Sequence, residues 1–386
     1  MNDARILIVD DVEDNRYTLG MLLDLEGYSQ VAQAGDGAEA LERLGAEAFD
    51  LVLLDVMMPK LDGYQVLERL KAEGRLHRLP VVMISALQEL DSVVRCIELG
   101  AEDYLPKPFN PVLLKARIGA CLEKKRLRDQ AAAQLERMAA ELHAARELQA
   151  SMVPTRFPAP GPRNPLEAAA VLKPARELGG DFYDFFRLGD GTAVLLMGDV
   201  SDKGVPAALF MARSMNAVRM LAGSPAGPLD PGEVLRRANE ELARMNDATM
   251  FVTLFLGAID VGTGTLRYAN AGHNEPYVLG PAGVRPITVA KGLPLAAKPG
   301  TDYVTGTVGL APGDTLFAFT DGVTEAMNAD GVAFGEQRLE ALLAGLRGKS
   351  ASELVSAVTD GVQQFVGAAP QSDDIAALAV RFGSPS

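Results

Sequence analysis

The chain has 386 residues, 48% hydrophobic and 23% charged, which implies two soluble globular domains rather than one core or a disordered or fibrous chain. A formal net charge of −14 argues against a surface built to hold nucleic-acid phosphates, because such binding needs clustered Lys and Arg. Cys96 and Cys121 have no CxxC spacing and suggest neither a disulfide framework nor a zinc site. The N-terminus turns acidic within a few residues and no apolar run is long enough to span a bilayer, so a cytoplasmic protein without membrane contact is expected.

Residues 1–121 alternate short apolar runs with segments of helical period: RILIVDD, a helix over 14–26, SQVAQAG, 37–46, DLVLLDV, 63–73, LPVVMISA, 88–99, DYLPKPF and a final helix. This alternation predicts right-handed βαβ units and a doubly wound α/β domain with a parallel sheet. Over 122–153 a charged helix follows in which Leu135, Met138, Leu142, Ala145, Gln149 and Met152 recur at alternating three- and four-residue steps. That seam predicts a coiled-coil linker pairing two chains as a homodimer, with one amphipathic helix packed on its own domain as the alternative. The Pro-rich stretch VPTRFPAPGPRNP stops the helix because successive prolines remove donors and clash with preceding carbonyls. Residues 154–386 mix the strands AVLLMGDV, FVTLFLGAID, TLRYANAG, DTLFAFTDG and IAALAVRF with helices at 206–221, 231–245, 335–345 and 351–367. Strands that follow one another or flank long helices predict an α+β domain of stacked sheets.

Asp10 and Asp11 follow the first predicted strand, Asp55 the third, Ser85 the fourth and Lys107 the fifth. In an open parallel sheet the carboxyl ends of the strands form the ligand-binding edge, so these groups should converge. Crowded carboxylates call for a hard divalent cation such as Mg²⁺, and one of them can then act as a nucleophile toward phosphorus. A lysine supplies a point charge for phosphate oxygens.

The order DD, D, S, KP at successive strand ends resembles the receiver domains of two-component response regulators. The resemblance implies a flavodoxin-like fold with Asp55 as phosphoacceptor. It also implies that Asp11, Asp55 and the Met57 backbone carbonyl hold Mg²⁺, with Asp10 a more distant, water-mediated ligand. Ser85 and Tyr104 match the switch pair and Lys107 the phosphate-contacting lysine. A cognate histidine kinase or phosphotransfer protein is the implied partner.

A second acidic set comprises Asp181 in ELGGDFYDFF, Asp199 in LLMGDVSDKG, Asp321 in FAFTDGVTEA, and Asp373 with Asp374 in QSDDIAALAV. Each flanks an apolar strand-like run, where an unpaired charge is costly. Lys203 is the nearest cation and no Cys/His cluster accompanies the set, so oxygen ligation of Mg²⁺ or Mn²⁺ is expected. Two such ions can activate water toward a phosphoryl group, which predicts phosphomonoester hydrolysis without a covalent intermediate.

The order GGDFYD, GDVSDKG, TDGVTEA, SDDIA, preceded by ARELQASMVP, resembles the SpoIIE/RsbU-type bacterial branch of the PPM protein phosphatases. That resemblance implies an α-β-β-α sandwich and a metal-dependent serine/threonine phosphatase. In it Asp199 bridges two or more Mn²⁺ or Mg²⁺ ions, Asp181 and the Val200 backbone carbonyl serve one side, and Asp321 and Asp373 the other. The implied substrate is a phosphoserine or phosphothreonine protein, typically an anti-sigma factor antagonist of STAS type in a partner-switching pathway. A sequestering protein with an inactive phosphatase-like domain is the competing reading, against which the complete aspartate set speaks.

Several residues keep two readings. Gly179, Gly180 and Gly198 either allow close backbone approach to the site or serve as turn residues. Asp202 reads first as a solvated loop carboxylate, and Asp184 and Asp374 either approach the metals or support them. His273 in YANAGHNEPYVL could serve as a general acid, but ordering of its turn is the favoured reading. Met57-Met58 and FYDFF are expected as core and loop anchors.

Overall fold

The computed structural model describes every residue other than 1, 87–89, 162–163, 190, 224–227, 245, 248, 289 and 384–386. The chain divides into two compact units, 1–139 and 140–386.

In the first unit β1 (Asn2–Val9), α1 (Glu13–Leu25), β2 (Tyr28–Ala34), α2 (Gly37–Ala46), β3 (Leu51–Asp55), α3 (Gly63–Ala72), β4 (Val81–Ser85), α4 (Leu90–Leu99) and β5 (Asp103–Pro106) alternate, and α5 (Pro111–Met152) follows. The sheet has the order β2-β1-β3-β4-β5 with all pairs parallel, so the doubly wound α/β expectation is borne out. Successive strand residues point to opposite faces. Leu7, Val9, Val52 and Leu54 therefore pack against Ala40, Leu44, Val66 and Leu67 of α2 and α3. Ile6, Ile8, Leu51 and Leu53 pack against Leu19 and Leu23 of α1 and Leu114 and Ile118 of α5. Burial of both faces is why these strands read as continuous apolar runs rather than alternating ones. Asp36 caps α2, and Asp62 with Gln65 forms a capping box on α3, each cap typically contributing about 1 kcal/mol. The start expected for the fourth helix, at 88, lies outside the described residues.

Helix α5 crosses position 122 without a break. What changes there is its surroundings: Ile118 and Cys121 are buried, whereas Leu127, Leu135, Met138 and Leu142 are exposed.

In the second unit β6 (Leu166–Lys173), β7 (Phe182–Arg187), β8 (Thr192–Val200), α6 (Val205–Ala222), α7 (Pro231–Ala243), β9 (Val252–Asp260), β10 (Thr265–Ala271), β11 (Tyr277–Gly280), β12 (Gly283–Pro286), β13 (Gly306–Gly309), β14 (Thr315–Phe319), a 3-10 turn (Asp321–Val323), α8 (Glu336–Gly345), α9 (Ala351–Val366) and β15 (Ile375–Phe382) follow in order. They make two antiparallel sheets, β13-β10-β9-β8-β7 and β12-β11-β14-β15-β6. Alternate residues of β15 show the layering. Ala376, Leu378 and Val380 join the core shared with β8, β9, α6 and α7, while Ala377 and Ala379 join Leu339, Leu354 and Val358 of α8 and α9. The result is the expected α-β-β-α sandwich. The FYDFF segment, expected as core and loop anchors, is strand β7 with Phe182, Tyr183 and Phe185 buried.

Candidate functional site

In the first unit the carboxyl edge of the sheet gathers Asp10 after β1, Asp55 at the end of β3, Ser85 at the end of β4 and Lys107 after β5. Asp10, Asp11 and Asp55 each offer a carboxylate oxygen within 4.8 Å of the others. Lys107 Nζ lies 2.7 Å from Asp10 Oδ2 and 3.0 Å from Asp55 Oδ2, and the Lys107-Pro108 peptide is cis. The buried Asp10 also accepts from the Val12 N–H at 2.9 Å and Asn15 Nδ2 at 3.0 Å. Asp10 is thus tied directly to the lysine. Burial raises the pKa of Asp55 against the pull of Lys107, and the charge of Asp10 adds to the rise. Burial works to discharge Lys107, but its hydrogen bonds to the two carboxylates prevail and hold it as ammonium. Ser85 is buried, and Tyr104 Oη donates to the Ser85 carbonyl at 3.3 Å. The Met57 side chain is exposed. A Cβ at Gly63 would overlap the Asp55 carbonyl, so only glycine lets α3 start this close to the acceptor strand.

In the second unit the acids come from both sheets. Asp181 leads into β7, Asp199 lies near the end of β8, Asp321 opens the turn after β14, and Asp373 with Asp374 leads into β15. Asp181 is buried, and Thr320 Oγ1 donates to its Oδ2 at 2.6 Å. Thr320 in turn accepts from the Ala376 N–H at 3.0 Å. Asp374 accepts from the Ala175 and Gly180 N–H groups at 2.7 and 2.9 Å, which makes it a support. Asp373 pairs with Lys203 at 2.8 Å. Asp184 is fastened to Arg219 at 3.2 Å, and the exposed Asp202 accepts from the Lys203 N–H at 3.0 Å. The solvated reading of Asp202 is the one its surroundings favour.

Burial raises the pKa of Asp181 strongly, with the neighbouring Asp199 as the next cause. Asp199 is raised by burial and then by Asp321, and Asp321 by burial, then by Glu325 and Asp373. Among the described residues, Lys203 is the cation ion-paired within this set. One ammonium against four mutually repelling carboxylates leaves a deficit of positive charge that divalent cations fit. The all-oxygen donor set suits Mg²⁺ or Mn²⁺ rather than Zn²⁺. The three carboxylates around Lys107 fit a single hard cation by the same reasoning.

His273 is buried with both ring nitrogens engaged: Nε2 lies 3.1 Å from the Phe319 carbonyl and Nδ1 2.9 Å from Thr253 Oγ1. A carbonyl only accepts, so Nε2 carries the proton and Nδ1 accepts from the threonine hydroxyl. Thr253 pairs in register with Asp199, and Phe319 is two residues before Asp321. His273 therefore joins β9, the strand paired beside Asp199, to the end of β14, which leads into Asp321, and has no free nitrogen for acid catalysis. Burial lowers its pKa to about 3 from an ordinary value of 6.5. The folded state then binds fewer protons than the unfolded state between these values. Its contribution to stability is fully present above about pH 6.5 and declines as pH falls toward 3, by up to about 1.4 kcal/mol per pH unit. Urea unfolding of wild type and His273→Gln between pH 4.5 and 7 checks this: the wild-type stability should fall more steeply on acidification, and parallel profiles would refute it.

Thr320 and Gln149 escaped the sequence reading. Thr320 adjoins Asp321 in FTDG, so proximity to a site aspartate was the available signal. Gln149, expected in a helix seam, instead bonds Gly179.

Residues 189–383 match the family model described as Stage II sporulation protein E (SpoIIE), and residues 6–119 match the Response regulator receiver domain. Protein IcfG of Synechocystis sp. (strain ATCC 27184 / PCC 6803 / Kazusa) is 31% identical over 269 residues, covering 62% of this chain and 41% of that protein. Transcriptional regulatory protein CpxR of Escherichia coli (strain K12) is 46% identical over 127 residues, covering 33% of this chain and 52% of its own length. The chain thus spans about half the length of the curated relatives it matches. Among solved structures, the SiaA-PP2C domain of Pseudomonas aeruginosa is 25% identical with a TM-score of 0.58, covering 65% of this chain and 99% of that one. The PP2C phosphatase domain of SpoIIE from Bacillus subtilis, 17% identical with a TM-score of 0.50 over 56% of this chain and 63% of that one, shares the fold.

Proposed function

The chain belongs to the Stage II sporulation protein E (SpoIIE) family and carries a receiver domain ahead of it, and from this premise we propose that it is a metal-dependent protein serine/threonine phosphatase governed by phosphorylation of Asp55. The observation that carries the reading is the pair of acidic clusters built for different tasks. Lys107 bridges Asp10 and Asp55 in the first, whereas four crowded carboxylates and one rim lysine make up the second.

At the first, an Asp55 oxygen attacks the phosphorus of a phosphohistidine donor on a histidine kinase or phosphotransfer protein. The P–N bond breaks, the imidazole leaves with the electron pair, and Lys107 holds the phosphoryl oxygens. Asp11, Asp55 and the Met57 carbonyl would hold Mg²⁺, with Asp10 behind them. At the second, Asp181, Asp199, Asp321, Asp373 and the Val200 carbonyl would hold Mn²⁺ or Mg²⁺ ions. Such ions, when bound, supply Lewis acidity toward the phosphoryl group and make water nucleophilic near neutral pH. The chain's part is to aim the carboxylates: Thr320 orients Asp181, Asp374 ties down the turn at Gly180, and Lys203 holds Asp373 at the rim.

The substrate is a phosphoserine or phosphothreonine protein, an anti-sigma factor antagonist of STAS type by family resemblance, in the cytoplasm. Among the described residues no helix is long and apolar enough to cross a membrane. Phosphorylation acts through Ser85 and Tyr104 on α5, by favouring one of two arrangements through differential interaction energy. The exposed Leu135, Met138 and Leu142 support pairing of α5 with a second copy. Phosphate release from a phosphoserine protein is expected with Mn²⁺ and not with EDTA. Binding of that protein in Mn²⁺ without release would replace this reading by sequestration.

A further inference from the structure

The last turns of α5 reach the second acidic cluster through one side chain. Gln149 is buried, with Nε2 2.7 Å from the Gly179 carbonyl and Oε1 3.3 Å from the Gly179 N–H. One side-chain amide thus engages both peptide groups of one residue. The next residue, Gly180, donates to Asp374 Oδ2 at 2.9 Å and accepts from the Val200 N–H at 3.4 Å. A Cβ at Gly179 would overlap the Asp374 carboxylate, and one at Gly180 would stand 2.8 Å from the Val200 carbonyl. The turn is pinned by Gln149, Asp374 and Val200, and the chain leaves it directly into Asp181. A buried amide side chain is costly unless both its ends are paired, and here both are paired to this turn. Met152 and Val153, which follow, pack on the apolar core of the sandwich.

We propose that Gln149 is a positioning residue for the phosphatase cation site, holding the Gly179-Gly180 turn so that Asp181 and the Val200 carbonyl keep their places. A shift of the last turns of α5 is then felt as a change in divalent-cation affinity. This deepens the phosphatase reading and rests on it. Gln149 is directed inward, so a change in helix pairing reaches the site through it rather than being absorbed in a seam.

The test uses the full chain and the variant Gln149→Met, which keeps the length of the side chain and loses both hydrogen bonds. Calorimetric titration with Mn²⁺ should show the phosphatase-site Kd raised about 10- to 100-fold, as loss of an outer support typically does. The receiver-domain cation site serves as internal reference and should be unmoved. Activity should recover at saturating Mn²⁺ with KM for the phosphoprotein unchanged. Val153→Ala, which thins the packing of the same helix end without touching the turn, should lower the melting temperature and leave Mn²⁺ affinity alone. Wild-type affinity in Gln149→Met, or an equal loss in Val153→Ala, overturns the inference. Wild-type protein that neither binds Mn²⁺ in the phosphatase domain nor releases phosphate overturns the phosphatase reading, and this inference with it.

Discussion

Asp199→Asn is expected to cut Mn²⁺-dependent phosphate release by about 10³-fold or more, while raising the melting temperature of the protein in EDTA. The loss follows from the place of Asp199 between the acids of the two sheets, where burial and then the charge of Asp321 both raise its pKa and it stands beside Asp181. On the proposed function Asp199 would be a cation ligand, which cannot be spared when cations contribute several kcal/mol to the transition state, each 1.36 kcal/mol being about tenfold in rate. The gain has the same origin. Without cations the folded state must keep several carboxylates crowded and partly desolvated, and the amide removes one charge at nearly constant shape. Each kcal/mol relieved should raise Tm by about 2–4 °C for a domain of this size. Phosphate-release kinetics and thermal melts in EDTA on the same preparation check both halves. A variant with the wild-type rate would remove Asp199 from the site, and a lowered Tm in EDTA would mean that the cluster is not under repulsion.

Asp55→Asn is expected to abolish stable phosphoryl uptake from a small-molecule phosphodonor such as acetyl phosphate, and with it any effect of that donor on the phosphatase rate. The carboxamide keeps the shape at the end of β3 but offers no anionic oxygen to phosphorus. Lys107 remains held by Asp10 at 2.7 Å, so the edge of the sheet should stay intact. Intact-mass measurement should find one added phosphoryl group on the wild-type chain and none on the variant. Donor-dependent change of phosphatase rate in the unlabelled variant would move the control point elsewhere.

The strand-end acids were legible because the chemistry that needs them also fixes their spacing. Asp10 and Asp55 each follow an unmistakable apolar run, whereas Lys107 follows the short DYLP of β5 and was legible from its KP pair, and a parallel sheet brings such ends together. In the second unit Asp199 lies near the end of β8, and Asp321 and Asp373 flank β14 and β15, all strongly apolar, whereas β6, β11, β12 and β13 went unseen and β7 was read only as an apolar run beside Asp181. β7 is mostly buried along FYDF, and so lacks the period-two signal. β11, β12 and β13 are four residues each, too short for any period to register. Gln149 follows the second of the two readings left open for its helix, packing on its own domain: a three-four spacing states which face of a helix is shared, and not whether a partner helix or the helix's own domain receives it. The roles of Thr320 and His273 depend on contacts 139 and 46 residues apart, which no local pattern encodes.

The position of β15 has a consequence for how the protein is made. This strand lies between β14 and β6 in the second sheet, pairing with β6 over its whole length, and it is the last described strand to leave the ribosome. β6, translated some two hundred residues earlier, must wait with one edge open until β15 arrives, and domains generally fold as units during synthesis. A nascent chain stopped between Asp321 and Ile375 would carry Asp181, Asp199 and Asp321 but no strand to set Asp373 beside them. Assembly of the acidic cluster is thus withheld until translation has passed β15, and truncated products should be substrates for proteolysis.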